Sequence, residues 1–139
     1  MEHQVRLFHY LTEESRKIRT EVFVNEQGFQ EEFDEVDARA WHVIVLDGDK
    51  AVATGRVFSG IDGIYHIGRV AVLKEYRKMH VGRIVMTELE KKARELGAKC
   101  ISLSAQCQAS GFYEKIGYSL TEDLHLDQGC PHVTMIKVL

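Results

Sequence analysis

Apolar residues near the N-terminus change from the spacing of a strand to that of a helix. Residues 5–10 are predicted to form a first strand. Thr12 then stands where it can cap a helix, and two acidic residues follow it in the first turn, where the helix dipole favours negative charge. Leu11, Ile18 and Val22 fall near one face of this helix, which is therefore expected to pack on the core.

Three apolar, β-branched runs further along the chain predict strands. The first two, at 41–46 and 51–58, flank Asp47-Gly48-Asp49. An Asp-Gly pair between such runs is a strong signal of a β-hairpin. After a second turn at 60–63, residues 64–72 form the third strand of this group.

The second half of the chain begins with a helical period. Apolar residues recur every three or four positions between Val81 and Leu96, and Gly97 is placed to end the helix. The order of the elements predicts a mixed α/β domain, with helices on the faces of a mixed sheet. The remaining predicted elements are a buried strand at 100–103, a short helix at 109–116, and closing strands at 120–126 and 133–138.

The composition is that of one globular domain. The chain has 139 residues, of which 45% are hydrophobic and 28% charged, which excludes a disordered or fibrous protein. A net charge of −3 gives no overall attraction to nucleic acid or to an anionic membrane, and no apolar run approaches the roughly 20 residues that span a bilayer. With three cysteines, no CxxC pair and no apolar signal segment, we expect a cytoplasmic protein with reduced thiols.

The segment 68–83 carries the clearest chemical signal. A β-branched strand runs into a short basic loop, and the loop opens the long helix. The first amides of a helix bind anions, Gly82 permits a close backbone approach, and Arg77, Lys78 and Arg83 add positive charge. The segment is a candidate cradle for a pyrophosphate, although it matches neither of the common phosphate loops. The alternative is an ordinary strand-to-helix connection with solvated basic side chains.

Two motifs of the chain resemble those of the GNAT family of N-acetyltransferases. Tyr76-Arg77-x-x-His80-Val81-Gly82 is similar to the family's acetyl-CoA signature, [RQ]xxGx[GA], with His80 where glycine is usual. The second, Gln106-x-x-Ala109-x-x-Phe112-Tyr113-Glu114-Lys115-Ile116-Gly117-Tyr118, is similar to NxxAxxFYEKxGF, with glutamine for the first asparagine. Segments around Glu26-Gln27 and Gly129-Cys130-Pro131-His132 further resemble the small ElaA-like and YjcF-like branch.

The resemblance implies a fold, a co-substrate and a set of binding residues. The fold would be a single domain, 1–139, with a mixed, mostly antiparallel central sheet and flanking helices. The co-substrate would be acetyl-CoA, held by backbone amides that also polarise its thioester. No metal is expected, because Cys130 and His132 have no second ligand pair at zinc-like spacing. The implied contacts are Val70, Ala71, Val72, Arg77, Lys78, Met79, His80, Val81, Gly82, Arg83 and Gln106.

His80 departs from the family's acetyl-CoA signature, which usually has glycine at this position. A histidine fits the cradle if its φ is negative and its ring turns outward, where it can donate to a phosphate oxygen. The alternative is a solvent-facing ring that the loop merely tolerates.

Three residues are candidates for proton transfer. The resemblance implies that Tyr113 protonates the departing thiolate; otherwise it is a packed aromatic on a short helix. His66 precedes Val70 by four residues, which on a regular strand places both side chains on one face. It is a candidate base, with a half-buried structural histidine as the alternative. Glu26 is the competing base or amine ligand.

The acceptor is predicted only as an amine. Residues 26–37 hold six acids and no basic residue, so they form either a solvated loop or an acidic rim that attracts a cationic amine. The patterns together predict an N-acetyltransferase in which an amine of a small molecule or protein attacks acetyl-CoA directly in a ternary complex. A homodimer through the closing strands is a further expectation. The alternative function is a CoA-binding regulatory or interaction module with little turnover.

Overall fold

The computed structural model of the protein describes residues 2–30 and 33–139. Within them, seven strands form one sheet in the order β1-β2-β3-β4-β5-β7-β6. β4 and β5 are parallel, whereas the other neighbouring strands are antiparallel, which confirms the predicted mixed, mostly antiparallel sheet. The strands are β1 (His3–Phe8), β2 (Trp41–Asp47), β3 (Lys50–Ser59), β4 (Ile64–Val72), β5 (Cys100–Gln106), β6 (Ser119–Asp127) and β7 (Cys130–Val138).

The predicted helices are present with small shifts of their ends. They are α1 (Glu13–Arg19), α2 (Val81–Glu95) and α3 (Ser110–Lys115). Thr12 caps α1 as predicted, because its side chain accepts from the amide of Ser15 at 3.1 Å. α1 continues without a break into a π-helical segment, Thr20–Glu26, which the sequence did not indicate. None of the helices in the described ranges combines the length and apolar character that a bilayer crossing requires.

Helices cover both faces of the sheet. The larger core cluster lies between the sheet and α2, and it includes the buried residues Val81, Val85 and Leu89. A smaller cluster lies on the opposite face, where Ile18 and Val22 pack with Ala71 of β4. Gly55 of β3 permits the close approach of α2, since a Cβ there would lie 2.7 Å from a methyl group of Val85.

A β-bulge interrupts β4. Arg69 and Val70 together lie opposite the single residue Gly55 of β3, and Arg69 takes a left-handed φ of 52°. The extra residue reverses the alternation of side chains along the strand. Ile67 before the bulge and Val70, the second residue of the bulge, both pack on the α2 side, and Ala71 packs on the α1 side.

The sheet opens between β4 and β5. Their pairing ends at His66 and Ser102, whereas β5 continues to pair with β7 up to Gln106. Backbone groups of β4 beyond His66 that face β5 therefore have no strand partner within the described residues. The separation of the two strands creates a cleft in the middle of the sheet.

A buried ion cluster fastens residues 34–38 to α1 and β3. The carboxylate of Asp37 accepts from Arg19 at 2.7 and 3.1 Å and from Arg56 at 2.8 Å. Arg56 also donates to both oxygens of Asp34, at 2.6 and 3.0 Å. The backbone carbonyl of Asp37 accepts from Nε2 of the buried His42 at 3.0 Å. Two arginines therefore share one buried aspartate, and the cluster joins three elements of the fold.

The cluster changes the acidity of its members. Burial by itself would raise the pKa of Asp37, but hydrogen bonds from Arg19, from the amide of Asp34 and from Arg56 lower it to about 2. Burial lowers the pKa of His42, so its ring is neutral in the folded protein at neutral pH. The ion cluster is thus charged, and the imidazole against it is not.

We expect Asp37→Asn to lower the free energy of unfolding by about 3 kcal/mol at pH 7, because two buried guanidinium groups lose their shared carboxylate. In the wild type this stabilisation is complete above the pKa of an unfolded aspartate, about 3.9. It is lost as the pH falls toward the folded value of about 2. Urea unfolding at several pH values between 7 and 2 measures both effects.

Glu35→Gln is the matched control, because Glu35 is an exposed acid on the same short helix, Glu35–Ala38. Its substitution is expected to change stability by less than ~0.5 kcal/mol. Equal stabilities of the two variants at pH 7 would contradict the role given to the ion cluster.

Candidate active site

Two cavities adjoin in the cleft. The first, of about 590 Å³, lies between the end of β4, the start of α2 and α3. The second, of about 520 Å³, lies between β4, β5 and β7. Both are lined by Gln27, Val70, Ala109 and Tyr113. The two cavities therefore meet where β4 and β5 separate.

The first cavity contains most of the residues predicted to bind the co-substrate. Met79 is exposed and lies outside its lining. Gln106 lines the second cavity instead, where its side-chain amide donates to Oε1 of Gln27 at 2.9 Å. The predicted residues in the lining of the first cavity are Val70, Ala71, Val72, Arg77, Lys78, His80, Val81, Gly82, Arg83 and Tyr113.

The helix α2 begins against the first cavity without a side-chain cap. Its N-cap residue, His80, has φ 61° and ψ 18°, and Lys78 has φ 68°. The expectation of a negative φ at His80 is therefore wrong, since the loop keeps the left-handed shape that glycine favours and places a histidine in it. The first-turn amides of a helix have no intrahelical partner, and here Val81 and Gly82 line the cavity.

Arg77 ties the loop to two other elements. Its guanidinium donates to the two carboxylate oxygens of Glu26 at 2.6 and 2.7 Å, and its Nε donates to the carbonyl of Val72 at 3.0 Å. The hydrogen bond from Arg77 lowers the pKa of Glu26, so Glu26 is a weaker base than an ordinary glutamate. The other positively charged side chains in the lining are Lys78, Arg83 and Lys115.

Tyr113 stands on α3 at the junction of the cavities. Its ring makes edge-on contacts with those of Phe112 and Tyr118, at centroid distances of 5.0 and 5.9 Å. Burial raises the pKa of Tyr113 to about 12, so its hydroxyl stays protonated at neutral pH. The hydroxyl of Tyr118 donates instead to Glu90, at 2.7 Å.

His66 lies on the opposite face of β4 from Val70, so the prediction of a common face is wrong. The bulge at Arg69 reverses the alternation between them. The ring of His66 stacks on Phe58 with centroids 5.3 Å apart, and a Cβ on Gly60 would lie 2.5 Å from its Nε2. Burial lowers the pKa of His66. The histidine lines the second cavity, with Nε2 packed against the turn between β3 and β4.

The described part of the acidic segment is not an uncompensated rim. Glu35 is exposed, and Glu31 and Glu32 lie outside the described residues. The remaining three acids are each paired with arginine, so they do not form the uncompensated acidic rim that was one of the two alternatives. The pairs are Glu26 with Arg77, Asp34 with Arg56 and Arg69, and Asp37 with Arg19 and Arg56.

The second cavity has a polar wall that the sequence analysis did not identify. Its apolar side is formed by Phe23, Phe29 and Phe58. Its polar side comes from β5 and the first half of β7, in which polar residues at every second position line the cavity. That alternation is the signal that could have revealed it. The polar residues of these strands are Ser102, Ser104, Gln106, His132 and Thr134.

Within residues 2–30 and 33–139, no group of three or more His, Cys, Asp or Glu side chains is arranged to hold a metal ion.

The sequence from residue 9 to residue 139 matches the family model of the acetyltransferase (GNAT) domain. The chain therefore belongs to the GNAT family of acetyltransferases. It is 45% identical over 123 residues to YjcF of Bacillus subtilis, an uncharacterized N-acetyltransferase, and the match covers 86% of this chain and 87% of YjcF. The resemblance seen in the sequence is thereby confirmed.

Solved structures share the fold. The crystal structure of Escherichia coli ElaA superposes with a TM-score of 0.87 at 24% identity, covering 98% of this chain and 99% of ElaA. A Bacillus subtilis acetyltransferase crystallised in complex with CoA superposes with a TM-score of 0.77 at 16% identity, covering 99% of each chain.

We expect His80→Gly to raise the free energy of unfolding by roughly 0.5–1 kcal/mol. A left-handed conformation costs a residue with a side chain roughly 1–2 kcal/mol, and the greater flexibility of glycine in the unfolded chain offsets part of the gain. His80→Ala carries the same backbone penalty as histidine and serves as the control. Urea unfolding of the three proteins tests this, and equal stabilities of the glycine and alanine variants would argue against strain at this position.

Proposed function

We propose that the protein transfers an acetyl group from acetyl-CoA to an amine, by direct attack of the amine in a ternary complex. One observation carries the proposal: two cavities of different chemical character meet at Val70 and Tyr113. One cavity suits a long anionic co-substrate and the other a smaller polar molecule. Membership of the acetyltransferase family supports acyl transfer between them.

The first cavity fits the chemistry of CoA. Its basic loop and the uncapped start of α2 offer positive charge and free amides for a pyrophosphate. We assign the neutralisation of phosphate charge to Lys78, Arg83 and the first-turn amides. Arg77 is bound by Glu26, so we assign it to holding the loop in place. A Bacillus subtilis acetyltransferase of the same fold was crystallised in complex with CoA, which supports CoA as the ligand.

The unpaired edge of β4 suits the pantetheine arm. Beyond His66 this edge has no strand partner within the described residues, since β5 has turned away. Pantetheine contains amide groups that can hydrogen-bond to such an edge, as an added strand does. Within Val70–Val72, the backbone amides that point to the open edge would polarise the thioester carbonyl. Positioning together with this polarisation would supply most of the rate.

Tyr113 is assigned to the leaving group. A free thiol has a pKa near 8.5, whereas the pKa of Tyr113 is raised by burial to about 12. The tyrosine would therefore stabilise the departing thiolate mainly as a hydrogen-bond donor. Complete transfer of the tyrosine proton to the thiolate would be unfavourable, because the thiolate is the weaker base.

The alternative, a CoA-binding module with little turnover, does not account for the second cavity. An assay of thiol release from acetyl-CoA against a panel of amines separates the two functions. Amine-dependent release of CoA is the expected result. Tight CoA binding without amine-dependent release would favour the module.

Gly82→Glu is expected to weaken CoA binding more than tenfold, which corresponds to about 1.4 kcal/mol. The added carboxylate would stand at the start of α2 and repel a phosphate. Space there is also limited, because even a Cβ would lie 3.3 Å from the ring of Phe112. Calorimetric titration with CoA measures the loss.

Thr87→Glu is the matched control, since it adds the same charge at an exposed position of the same helix. Its CoA affinity should remain close to that of the wild type. Unchanged CoA affinity in a folded Gly82→Glu protein would remove the site from this loop.

Tyr113→Phe is expected to lower kcat about tenfold or more while leaving CoA affinity nearly unchanged, because the lost hydrogen bond forms to the leaving thiolate. Tyr118→Phe is the control, since its hydroxyl is occupied by Glu90. That variant should lose stability but keep its kcat. Steady-state kinetics decide the matter, and a wild-type kcat in Tyr113→Phe would reduce this residue to a packing role.

A further inference from the structure

We propose that His132 is the base that removes a proton from the acceptor amine, an inference that rests on the function proposed above. Amines with the basicity of a lysine side chain are protonated at neutral pH, with a pKa near 10.4. The nitrogen must lose a proton before it can attack a thioester. An imidazole in the acceptor cavity offers a ring nitrogen whose lone pair can accept that proton.

The position of His132 meets the first requirement of such a base. It lies on β7 in the polar wall of the second cavity and is only 6% exposed. Its direct neighbour across the strand pair is Gln106, the last residue of β5. Gln106 in turn binds Gln27, which lines both cavities. His132 is thus one cross-strand step from the region where the two cavities meet.

The hydrogen bonding of His132 fixes the tautomer of its neutral ring in a useful form. Nδ1 lies 2.8 Å from the carbonyl oxygen of Cys130. Because a carbonyl can only accept, Nδ1 carries the proton, and in the neutral ring Nε2 holds the lone pair. Nε2 has no hydrogen-bond partner among the described residues. It is also not one of the fully buried side-chain nitrogens that lack a hydrogen bond, such as Nδ1 of His42 and Nε of Arg56. The lone pair therefore remains available to a molecule in the cavity.

The two earlier candidates are less well placed. Glu26 is held by two hydrogen bonds from Arg77, which weaken it as a base. His66 presents its Nε2 to Gly60 and the turn between β3 and β4. Neither side chain combines an accessible lone pair with a position next to Gln106.

The proton balance of the reaction is complete with this assignment. The ammonium nitrogen loses two protons overall as its bond to the acetyl carbon forms and the bond from that carbon to sulfur breaks. One proton goes to Nε2 of His132 and from there to solvent. The other ends on the sulfur of CoA, which leaves hydrogen-bonded to Tyr113. The products are the amide, CoA with a free thiol, and one released proton.

Other groups near His132 will shape the pH dependence. On β6, His125 lies directly across from it, with ring centroids 6.0 Å apart. Nε2 of His125 lies 2.8 Å from the hydroxyl of Ser104, and its Nδ1 lies 3.7 Å from the carboxylate of Asp123. Cys130, whose carbonyl accepts from Nδ1 of His132, lies two residues before it on β7. The other titratable or charged groups in the lining of the second cavity are His66, Arg56, Arg69, Tyr113 and Asp127.

His132→Asn tests the proposal with little disturbance, because the asparagine amide can replace Nδ1 as donor to Cys130 while removing Nε2. Thiol release from acetyl-CoA is measured with spermidine, lysine, tyramine and benzylamine, and rates are compared on the amine with the highest turnover. We expect kcat/KM to fall about hundredfold or more at pH 7. The deficit should shrink as the pH rises, because more of the amine is then unprotonated. CoA affinity and thermal stability should stay near wild type, and added imidazole should restore part of the rate.

His9→Asn is the matched control, because His9 is exposed and lines neither cavity. It should lose less than about fivefold, with no change in the shape of the pH profile. A His132→Asn rate within threefold of wild type would overturn the inference and leave the acetyltransferase proposal intact. A deficit of equal size at every pH would overturn it too, since that result indicates a structural role. Absence of amine-dependent turnover in the wild type would overturn both proposals together.

Discussion

The bulge at Arg69 is the feature on which the arrangement of the cleft depends. One extra residue opposite Gly55 turns the side chains of β4 over, so that Val70 follows Ile67 onto the α2 side. Just before this point, β4 parts from β5. The same short stretch therefore supplies an unpaired backbone edge and a reversed side-chain pattern. Both are needed for two cavities to meet on one strand, because a regular paired strand would close the cleft.

The buried ion cluster explains why an acidic segment can border this cleft without making it negative. The charges of Asp34 and Asp37 are neutralised by ion pairs with Arg56 and Arg19. The charge of Glu26 is neutralised by Arg77. Such pairs stabilise little in net terms because desolvation offsets their attraction, but breaking one leaves a buried charge unpaired. Their effect is to fix the segment beside Arg56 and Arg69, two arginines that line the second cavity.

The sequence was sufficient where local patterns decide the structure. The cap at Thr12, the hairpin after Asp47, the amphipathic α2 and the loop before Gly82 were all predicted from neighbouring residues. It failed where residues far apart in the chain act together. No residue near His66 indicates the bulge three residues later, which places Val70 on the opposite face of the strand from His66. The arginine partners of Asp37 lie 18 and 19 positions away in the chain. An arginine inside the apolar run at 51–58 was the one available sign of a buried partner.

The two cavities differ in how they depend on side chains. The proposed CoA site relies largely on backbone: an open strand edge, helix amides and a left-handed loop. Such a site tolerates a histidine at position 80, because the φ of 61° preserves the path of the chain although the glycine is gone. The second cavity is built instead from hydroxyl, amide and imidazole groups on alternate positions of β5 and β7. A single substitution there changes a donor, an acceptor or a base directly. The choice of amine should therefore be determined mainly by these strand positions, while the binding of the acetyl donor is secured by the fold itself.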